Sequence, residues 1–302
     1  MNYLVSPAPH RNTRQTLNEM YIVLSIMLMS CLLSGYIFYG TNVLIVIAST
    51  LVPCVLFEFV CDLIKTKDAH IPHLSSIVTG LMLACVMPIN MPWFFGVFAA
   101  AIAIVSKYFF GGLGNNLFNP AALGRVVLGV MSVGFSFEYF GEQKTALGAI
   151  LTGNKGELEL AKLFTGEVAG AIGTTCIVVI MVAMITLVIM GIIRWENIVF
   201  AGLSFAGIVW ITMGFDNILP MLLSGSFVFV TVFMLNDPVS SPYTFSGRCL
   251  YSIAFGVVGA LMMMHNILGE SAIFIALLIC NMVAPMFDAL SSIFHRGVKK
   301  ND

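Results

Sequence analysis

The stretch MYIVLSIMLMSCLLSGYIFY, residues 20–39, carries no charged side chain, and NVLIVIASTLVPCVLFEFVC, residues 42–61, repeats this apolar pattern after a two-residue break. An apolar run of about 20 residues crosses the ~30 Å hydrocarbon core of a bilayer as one helix. The whole chain has the same character, since 59% of its 302 residues are apolar and 10% are charged. A single water-soluble core cannot bury so much apolar surface, so the sequence predicts an all-α polytopic membrane protein.

Ten hydrophobic stretches follow one another along the chain, which predicts about ten transmembrane helices. They cover residues 20–39, 42–61, 74–89, 91–110, 120–137, 168–191, 196–213, 217–235, 248–266 and 271–293. Several are shorter than the ~20 residues of a full span and contain Gly, Pro or Asn, notably those around Gly80 and Gly124. We therefore expect some of these helices to be broken or re-entrant.

The distribution of basic residues predicts the orientation, because Lys and Arg are retained on the cytoplasmic side. Ten of them fall on the side of the N-terminus and three on the opposite side. The ten are Arg11, Arg14, Lys65, Lys67, Lys107, Arg194, Arg248, Arg296, Lys299 and Lys300, and the three are Lys144, Lys155 and Lys162. The sequence thus predicts a multi-pass membrane protein with both termini cytoplasmic.

One long polar loop divides the chain into two sets of five spans. We expect a cytoplasmic tail at 1–19, a first half at 20–137, an outer loop at 138–167, a second half at 168–293 and a cytoplasmic tail at 294–302. When two similar halves each contain an odd number of spans, the second half is inverted in the membrane relative to the first. Proteins of this kind form their binding sites where interrupted helices of the two halves meet. The candidate interrupted helices are residues 75–88 and 222–238.

Composition also excludes some functions. The net charge of −1 gives no basic surface for nucleic acid. The seven cysteines form no CxxC pair, so neither a metal site nor a disulfide framework is predicted, and we interpret them as small buried hydrophobic residues.

Two polar segments are candidates for a binding site, because polar groups within membrane spans are costly. In the first, GGLGNNLFNPAALGR (111–125), Gly112 permits close backbone approach, Asn116 and Asn119 offer amides, and Arg125 carries a charge. The alternative interpretation is a capped helix start after Pro120, with Arg125 extending to the membrane interface.

The second polar segment is NDPVSSPYTFSGR (236–248). Asp237, Ser240 and Ser241 are its candidate binding residues, although a tight cytoplasmic turn would use the same residue types. Three further carboxylates, Glu58, Asp216 and Asp288, are interpreted as interfacial.

These segments resemble the RnfD/NqrB family. The stretch 111–125 resembles the family's GGxGxNxFNPA signature, FMLNDPVSSPYTFSGR (233–248) resembles FMxTDPVSSPxTxxGR, and SSIVTGLMLA (75–84) resembles SALVTGLLLA. The segment NMVAPMFDAL (281–290) adds a fourth match. The length of the chain favours the RnfD branch, the D subunit of the Rnf complex.

The resemblance implies a membrane electron-transfer subunit of a complex that couples ferredoxin and NAD redox chemistry to movement of Na⁺ or H⁺. The resemblance implies a non-autonomous subunit of an ion-transporting ferredoxin:NAD oxidoreductase, and no catalytic residue is assigned to this chain. It implies work with the other Rnf-type subunits, A, B, C, E and G, in the lipid bilayer of a prokaryotic cytoplasmic (inner) membrane. The implied cofactor is FMN, with riboflavin or another second flavin in addition.

The resemblance also implies a covalent FMN on a threonine of the outer loop. YFGEQKTAL (139–147) aligns Thr145 with that threonine, but Tyr139, Glu142 and Lys144 depart from the D-x-x-[ST]-[GS]-A-T-[PA]-L pattern. Two alternatives therefore stay open: a divergent subunit that has lost this flavin, and a small-solute channel or carrier of inverted-repeat architecture.

Overall fold

The computed structural model describes residues 16–66, 74–110, 116–135, 145–153, 159–224 and 226–298. This part of the chain contains helices and turns but no strand. The α-helices of the first half are α1 (Leu17–Tyr39), α2 (Asn42–Thr66), α3 (Leu74–Val86), α4 (Trp93–Phe109) and α5 (Pro120–Phe135). Two short helices follow, α6 (Ala146–Leu151) and α7 (Leu160–Thr165).

The second half begins with α8 (Ile177–Ile189) and α9 (Trp195–Met213). A bent span follows, formed by α10 (Ile218–Leu223), α11 (Phe227–Phe229) and a π-helical turn (Val230–Met234). The last helices are α12 (Phe245–Met264) and α13 (Ala272–Val298), and the 3₁₀ turn Gly269–Ser271 lies between them.

The helices account for all ten predicted hydrophobic stretches. Five helical segments are long and apolar enough to cross a membrane, and the bent span, which turns by 67° at its break, is a sixth. The other four are the shorter apolar helices α3, α4, α5 and α8. The predicted all-α polytopic membrane class is confirmed, and α3, with 13 residues, reaches only about 20 Å.

Helix packing follows a similar pattern before α6 and after α7. Before α6, α2 packs against α4 and α4 against α5; after α7, α9 packs against α12 and α12 against α13. A glycine lies at each of the first crossings: a Cβ on Gly96 would lie 2.4 Å from the Ser49 hydroxyl oxygen, and one on Gly256 would lie 2.0 Å from that of Ser204. Small residues let membrane helices approach closely, so these glycines set the separation of the paired helices.

The C-terminal end of α3 is inside the protein, where its free carbonyl groups need partners. The loop before α8 supplies two of them, because Gly173 N donates to Cys85 O (2.7 Å) and Ile172 N donates to Met87 O (3.1 Å). The intervening carbonyl, Val86 O, accepts from Arg125 Nε at 2.8 Å. Residues from the two halves thus close the end of one interrupted helix.

Candidate functional site

The two polar segments of the sequence meet in one place, which we call the motif cleft. It consists of two adjoining cavities that share Asn116 and Val239. The smaller, about 50 Å³, is also bordered by Asn119, Asp237 and Lys107. The larger, about 220 Å³, is lined in addition by Leu117, Ser240, Ser241, Pro242, Tyr243, Asn281, Ala284, Pro285 and Asp288.

Asn119 shapes the first wall of the cleft by starting α5. Its Oδ1 atom accepts from the backbone N–H groups of Ala121 (3.1 Å) and Ala122 (3.2 Å), while Pro120 occupies the first helical position. With the Asn281 amide oriented to satisfy its neighbours, Asn281 accepts from Asn119 N (3.1 Å) and donates to the Tyr251 hydroxyl (2.6 Å). The Asn119 side chain is therefore a helix cap, and α13 holds the loop that contains it.

Asp237 shapes the second wall by turning the chain. Its carboxylate accepts from the Ser240 hydroxyl (3.0 Å) and from Val239 N (3.4 Å). Burial raises the pKa of the Asp237 carboxyl, and the hydrogen bond from Ser240 opposes that shift. The interpretation of this segment as a tight turn agrees with these bonds, although the turn also borders the cleft.

A buried ion pair lies at the edge of the smaller cavity. Lys107 Nζ is 2.6 Å from Glu58 Oε1 and donates to the Ser75 hydroxyl at 2.7 Å. Glu58 is 0% exposed, so its interpretation as an interfacial carboxylate is wrong. Its position within α2, eight residues before the last residue Thr66, was the signal for burial in the sequence.

Asp288 orients the far side of the cleft. Its Oδ1 accepts from the N–H (2.9 Å) and hydroxyl (2.6 Å) of Thr244, and its Oδ2 accepts from Tyr243 N (2.9 Å). Thr244 in turn caps α12 by accepting from Gly247 N. This carboxylate therefore fixes the segment that carries Tyr243 into the cleft.

Replacement of Asp288 by asparagine is expected to destabilise the protein by about 1–3 kcal/mol. The asparagine side chain has one oxygen and one NH₂ group, so it can accept the hydrogen bonds made to one carboxylate oxygen but not those made to the other. Thermal unfolding in detergent measures the effect. Asp216, which is exposed in the turn before α10, is the matched control, and its asparagine variant should unfold like the wild type. Equal unfolding of the two variants would contradict the assigned role.

Asn116 gives the cleft an unused binding group. Its Oδ1 atom is buried and has no hydrogen-bond partner among the described residues, and it borders both cavities. Buried polar atoms are normally paired, so an orphaned one calls for a water, an ion or a ligand. The walls combine apolar side chains such as Leu117, Pro242 and Ala284 with polar ones such as Ser240 and Ser241, and this combination suits a flat ligand with a polar edge.

The remaining sequence candidates lie elsewhere. Gly112 falls outside the described residues, and Arg125 borders neither cavity of the motif cleft. Thr145 caps α6, accepting from Gly148 N at 3.2 Å, and its side chain is half-buried. α6 packs on α10, which begins the bent span, whereas the cleft is lined by residues that follow the end of that span. Thr145 and the cleft therefore lie at opposite ends of the bent span.

Arg125 is 0% exposed, so the alternative that it extends to the membrane interface is wrong. Besides its bond to Val86 O, it donates from Nη1 to the Ser271 hydroxyl at 2.8 Å. The guanidinium carbon lies 5.7 Å from the centroid of the Phe274 ring. Arg125 therefore joins α3, α5 and the start of α13 in the interior. Glu270, which interacts electrostatically with Arg125, was missed by sequence reasoning because only the fold turns it inward.

The fold and the motif cleft define an all-helical polytopic membrane protein with interrupted helices and a polar cleft between its signature segments. The NQR2, RnfD, RnfE family matches residues 4–293, and the chain therefore belongs to this family.

Similar proteins extend over most of the chain. The D subunit of the Na⁺-translocating ferredoxin:NAD⁺ oxidoreductase complex of Acetobacterium woodii is 30% identical, over 99% of this chain and 97% of the relative. The D subunit of the proton-translocating ferredoxin:NAD⁺ oxidoreductase complex of Clostridium ljungdahlii is 25% identical with the same coverage. The B subunit of the Na⁺-translocating NADH-quinone reductase of Chromohalobacter salexigens is 27% identical, over 75% of this chain and 60% of the relative.

Proposed function

We propose that this chain is the electron-carrying membrane subunit of an Rnf-type complex that couples ferredoxin and NAD redox chemistry to Na⁺ or H⁺ movement. The observation that carries the proposal is the convergence of the two family signatures on one cleft, where Asn116 Oδ1 is left without a partner among the described residues. The similarity to an Rnf-type D subunit over 99% of the chain supports it. The protein works with A-, B-, C-, E- and G-type partners in the cytoplasmic membrane, with two five-helix halves and both termini cytoplasmic.

The motif cleft is the proposed site of a noncovalent flavin. Asn116 and the hydroxyl groups of Ser240 and Ser241 supply polar contacts for the edge of the ring system, and Tyr243 supplies an aromatic face. The larger cavity, about 220 Å³, is below the roughly 300 Å³ of small ligand sites, so the cleft must widen before the ring system can enter.

The charges around the cleft favour a flavin without a phosphate group. Within the described lining, Lys107 is the basic residue, and it is already bound to Glu58 and Ser75. Asp237 and Asp288 border the cleft and would repel a phosphate. Riboflavin therefore fits better than FMN. Either flavin would supply the ability to accept and donate electrons, and the residues of this chain would bind and orient it.

Thr145 is the proposed attachment site of a second, covalent flavin as a phosphoester of FMN. Thr145 is half-buried at the start of α6, and the adjacent Ala146 and Leu147 are buried and anchor the helix. The departures at Tyr139, Glu142 and Lys144 fall outside the described residues.

Replacement of Thr145 by valine is expected to abolish covalent flavin, because valine has no hydroxyl to form the phosphoester. The test purifies the protein with its native partners, denatures it, and records flavin fluorescence on the protein band and in the soluble extract. Thr152, exposed at the other end of α6, is the matched control, and Thr152→Val should keep the fluorescent band.

The outcomes separate the proposals. A dark wild-type band with riboflavin in the extract would overturn attachment at Thr145 and leave a subunit that has lost its covalent flavin. A wild-type preparation without any flavin would overturn electron transfer by this chain and favour a small-solute channel or carrier, which the bent span of 67° also suits.

A further inference from the structure

The connection between α12 and α13 has an unusual backbone that turns a carboxylate inward. Two non-glycine residues, Asn266 (φ 49°) and Leu268 (φ 56°), and then Gly269 (φ 58°), adopt left-handed conformations within four positions. A non-glycine residue in this region costs about 1 kcal/mol or more and persists only where the surrounding structure requires it. The 3₁₀ turn Gly269–Ser271 that follows places Glu270 and Ser271 against α5.

The packing of this turn brings Glu270 close to the protein interior. Ser271 is 0% exposed and accepts the hydrogen bond from Arg125. A Cβ on Gly129 of α5 would lie 2.2 Å from the Ser271 hydroxyl oxygen, so only glycine at that position allows the turn to approach. The neighbouring residues His265, Asn266 and Ile267 are exposed, so the other side of the connection is on the surface of the protein.

Glu270 itself is incompletely satisfied. Its Oε2 atom is buried and finds no hydrogen-bond partner among the described residues. An unpaired buried polar atom costs about 1–3 kcal/mol, and more when the group is charged. Protonation of the carboxyl group removes this charge, so a proton relieves the cost of the buried Oε2 atom.

In the described part of the chain, the charged and titratable groups that face Glu270 come from two helices. Arg125 faces it from α5 and Tyr39 from α1. His265, at the end of α12, is exposed, and the first turns of α13 (272–278) carry no titratable side chain. A hard metal cation takes several oxygen ligands, and the guanidinium of Arg125 would repel it. A proton needs only one carboxylate oxygen.

We propose that Glu270 is a proton-binding site, in which its buried Oε2 takes up one proton from the exposed side of the connection and returns it there. Arg125 is the positioning residue, since it holds Ser271 and with it the turn that carries Glu270. The carboxylate and a proton form the neutral acid, so no other reactant is needed. The site lies outside the motif cleft and does not require a bound flavin, although a proton site suits an ion-moving complex.

Infrared difference spectroscopy of the complete complex in lipid, between alkaline and acidic buffer, tests the proposal. We expect a high-frequency carbonyl band in acid, because a buried carboxylic acid without a strong hydrogen bond absorbs at high frequency. Glu270→Gln should remove this band. Glu159→Gln, at an exposed residue paired with Lys162, should leave the band in place. Persistence of the full band in Glu270→Gln, or absence of the band from the wild type, would overturn the proposal.

A second variant covers the case in which Glu270→Gln does not assemble. Glu270→Asp keeps the carboxyl group but withdraws it by one methylene, so the band should shift in frequency, and an unshifted band would overturn the assignment. Flavin content is determined on the same samples by extraction. Its absence would count against the proposed function, whereas the carbonyl band alone decides the proton site.

Discussion

Substitution of Arg125 by methionine is expected to destabilise the protein by about 3–5 kcal/mol, the range found when one partner is removed from a buried charged network. The variant loses the bonds to Val86 O and to the Ser271 hydroxyl, and both of these acceptors are buried. It also leaves Glu270 without the nearby positive charge. Because Arg125 connects α3, α5 and the α12–α13 connection, the yield of assembled complex and its electron-transfer turnover should fall together.

The measurement is thermal unfolding of the purified complex, with assembly followed by size-exclusion chromatography. Arg194, whose side chain is exposed at the start of α9, is the matched control, and Arg194→Met should assemble and unfold like the wild type. Arg125→Lys keeps a charge but cannot reproduce the planar set of donors, so an intermediate loss is expected. Normal assembly and stability of Arg125→Met would show that Arg125 does not hold this junction.

The second large effect is expected at Gly256, where even alanine should destabilise the protein. A Cβ at this position would lie 2.4 Å from Ala201 O and 2.9 Å from Phe205 N, and both are backbone atoms of α9. A flexible side chain could move aside, but a helix backbone cannot do so without separating α9 from α12. We expect a loss of about 3 kcal/mol, at the upper end of the usual cost of overpacking.

Gly207→Ala, on α9 itself, is the control for Gly256→Ala. A Cβ at Gly207 would meet no described atom within 4 Å, so the substitution should stabilise the helix by up to about 1 kcal/mol through the higher helix propensity of alanine. The two alanine variants are therefore expected to shift the melting temperature in opposite directions. A shift of the same sign and size in both would mean that the α9–α12 crossing is looser than the contacts indicate.

The positions of the helices were largely predictable because they depend on local hydrophobicity. Each apolar stretch contains a helical segment. The short helix around Gly80 and the bend within 217–235 were readable from the length of these stretches and from their Gly and Pro content, although α3 itself continues through Gly80 without a break. The family was predictable for a similar reason, since its signatures are contiguous segments. Neither inference required knowledge of which helices touch.

The roles of individual polar residues were less predictable. Asn119 was a candidate ligand residue, and the structure uses its side chain to cap α5. Glu58 was interpreted as interfacial and Lys107, 49 positions away, as a basic residue of the cytoplasmic side, yet they form a buried pair. Hydropathy describes each residue separately, whereas a buried charge is tolerated only where a particular partner approaches it.

The sequence by itself determined that this chain is an all-helical membrane protein of the RnfD/NqrB type, because apolar runs of spanning length and contiguous motifs are local properties. Only the tertiary structure decided that Asn116 borders the cleft with an unpaired oxygen, that Arg125 closes the end of α3, and that Glu270 turns inward. Each of these depends on backbone and side-chain atoms brought together from distant parts of the chain, and the physical requirement that buried polar groups find partners acts on that spatial arrangement.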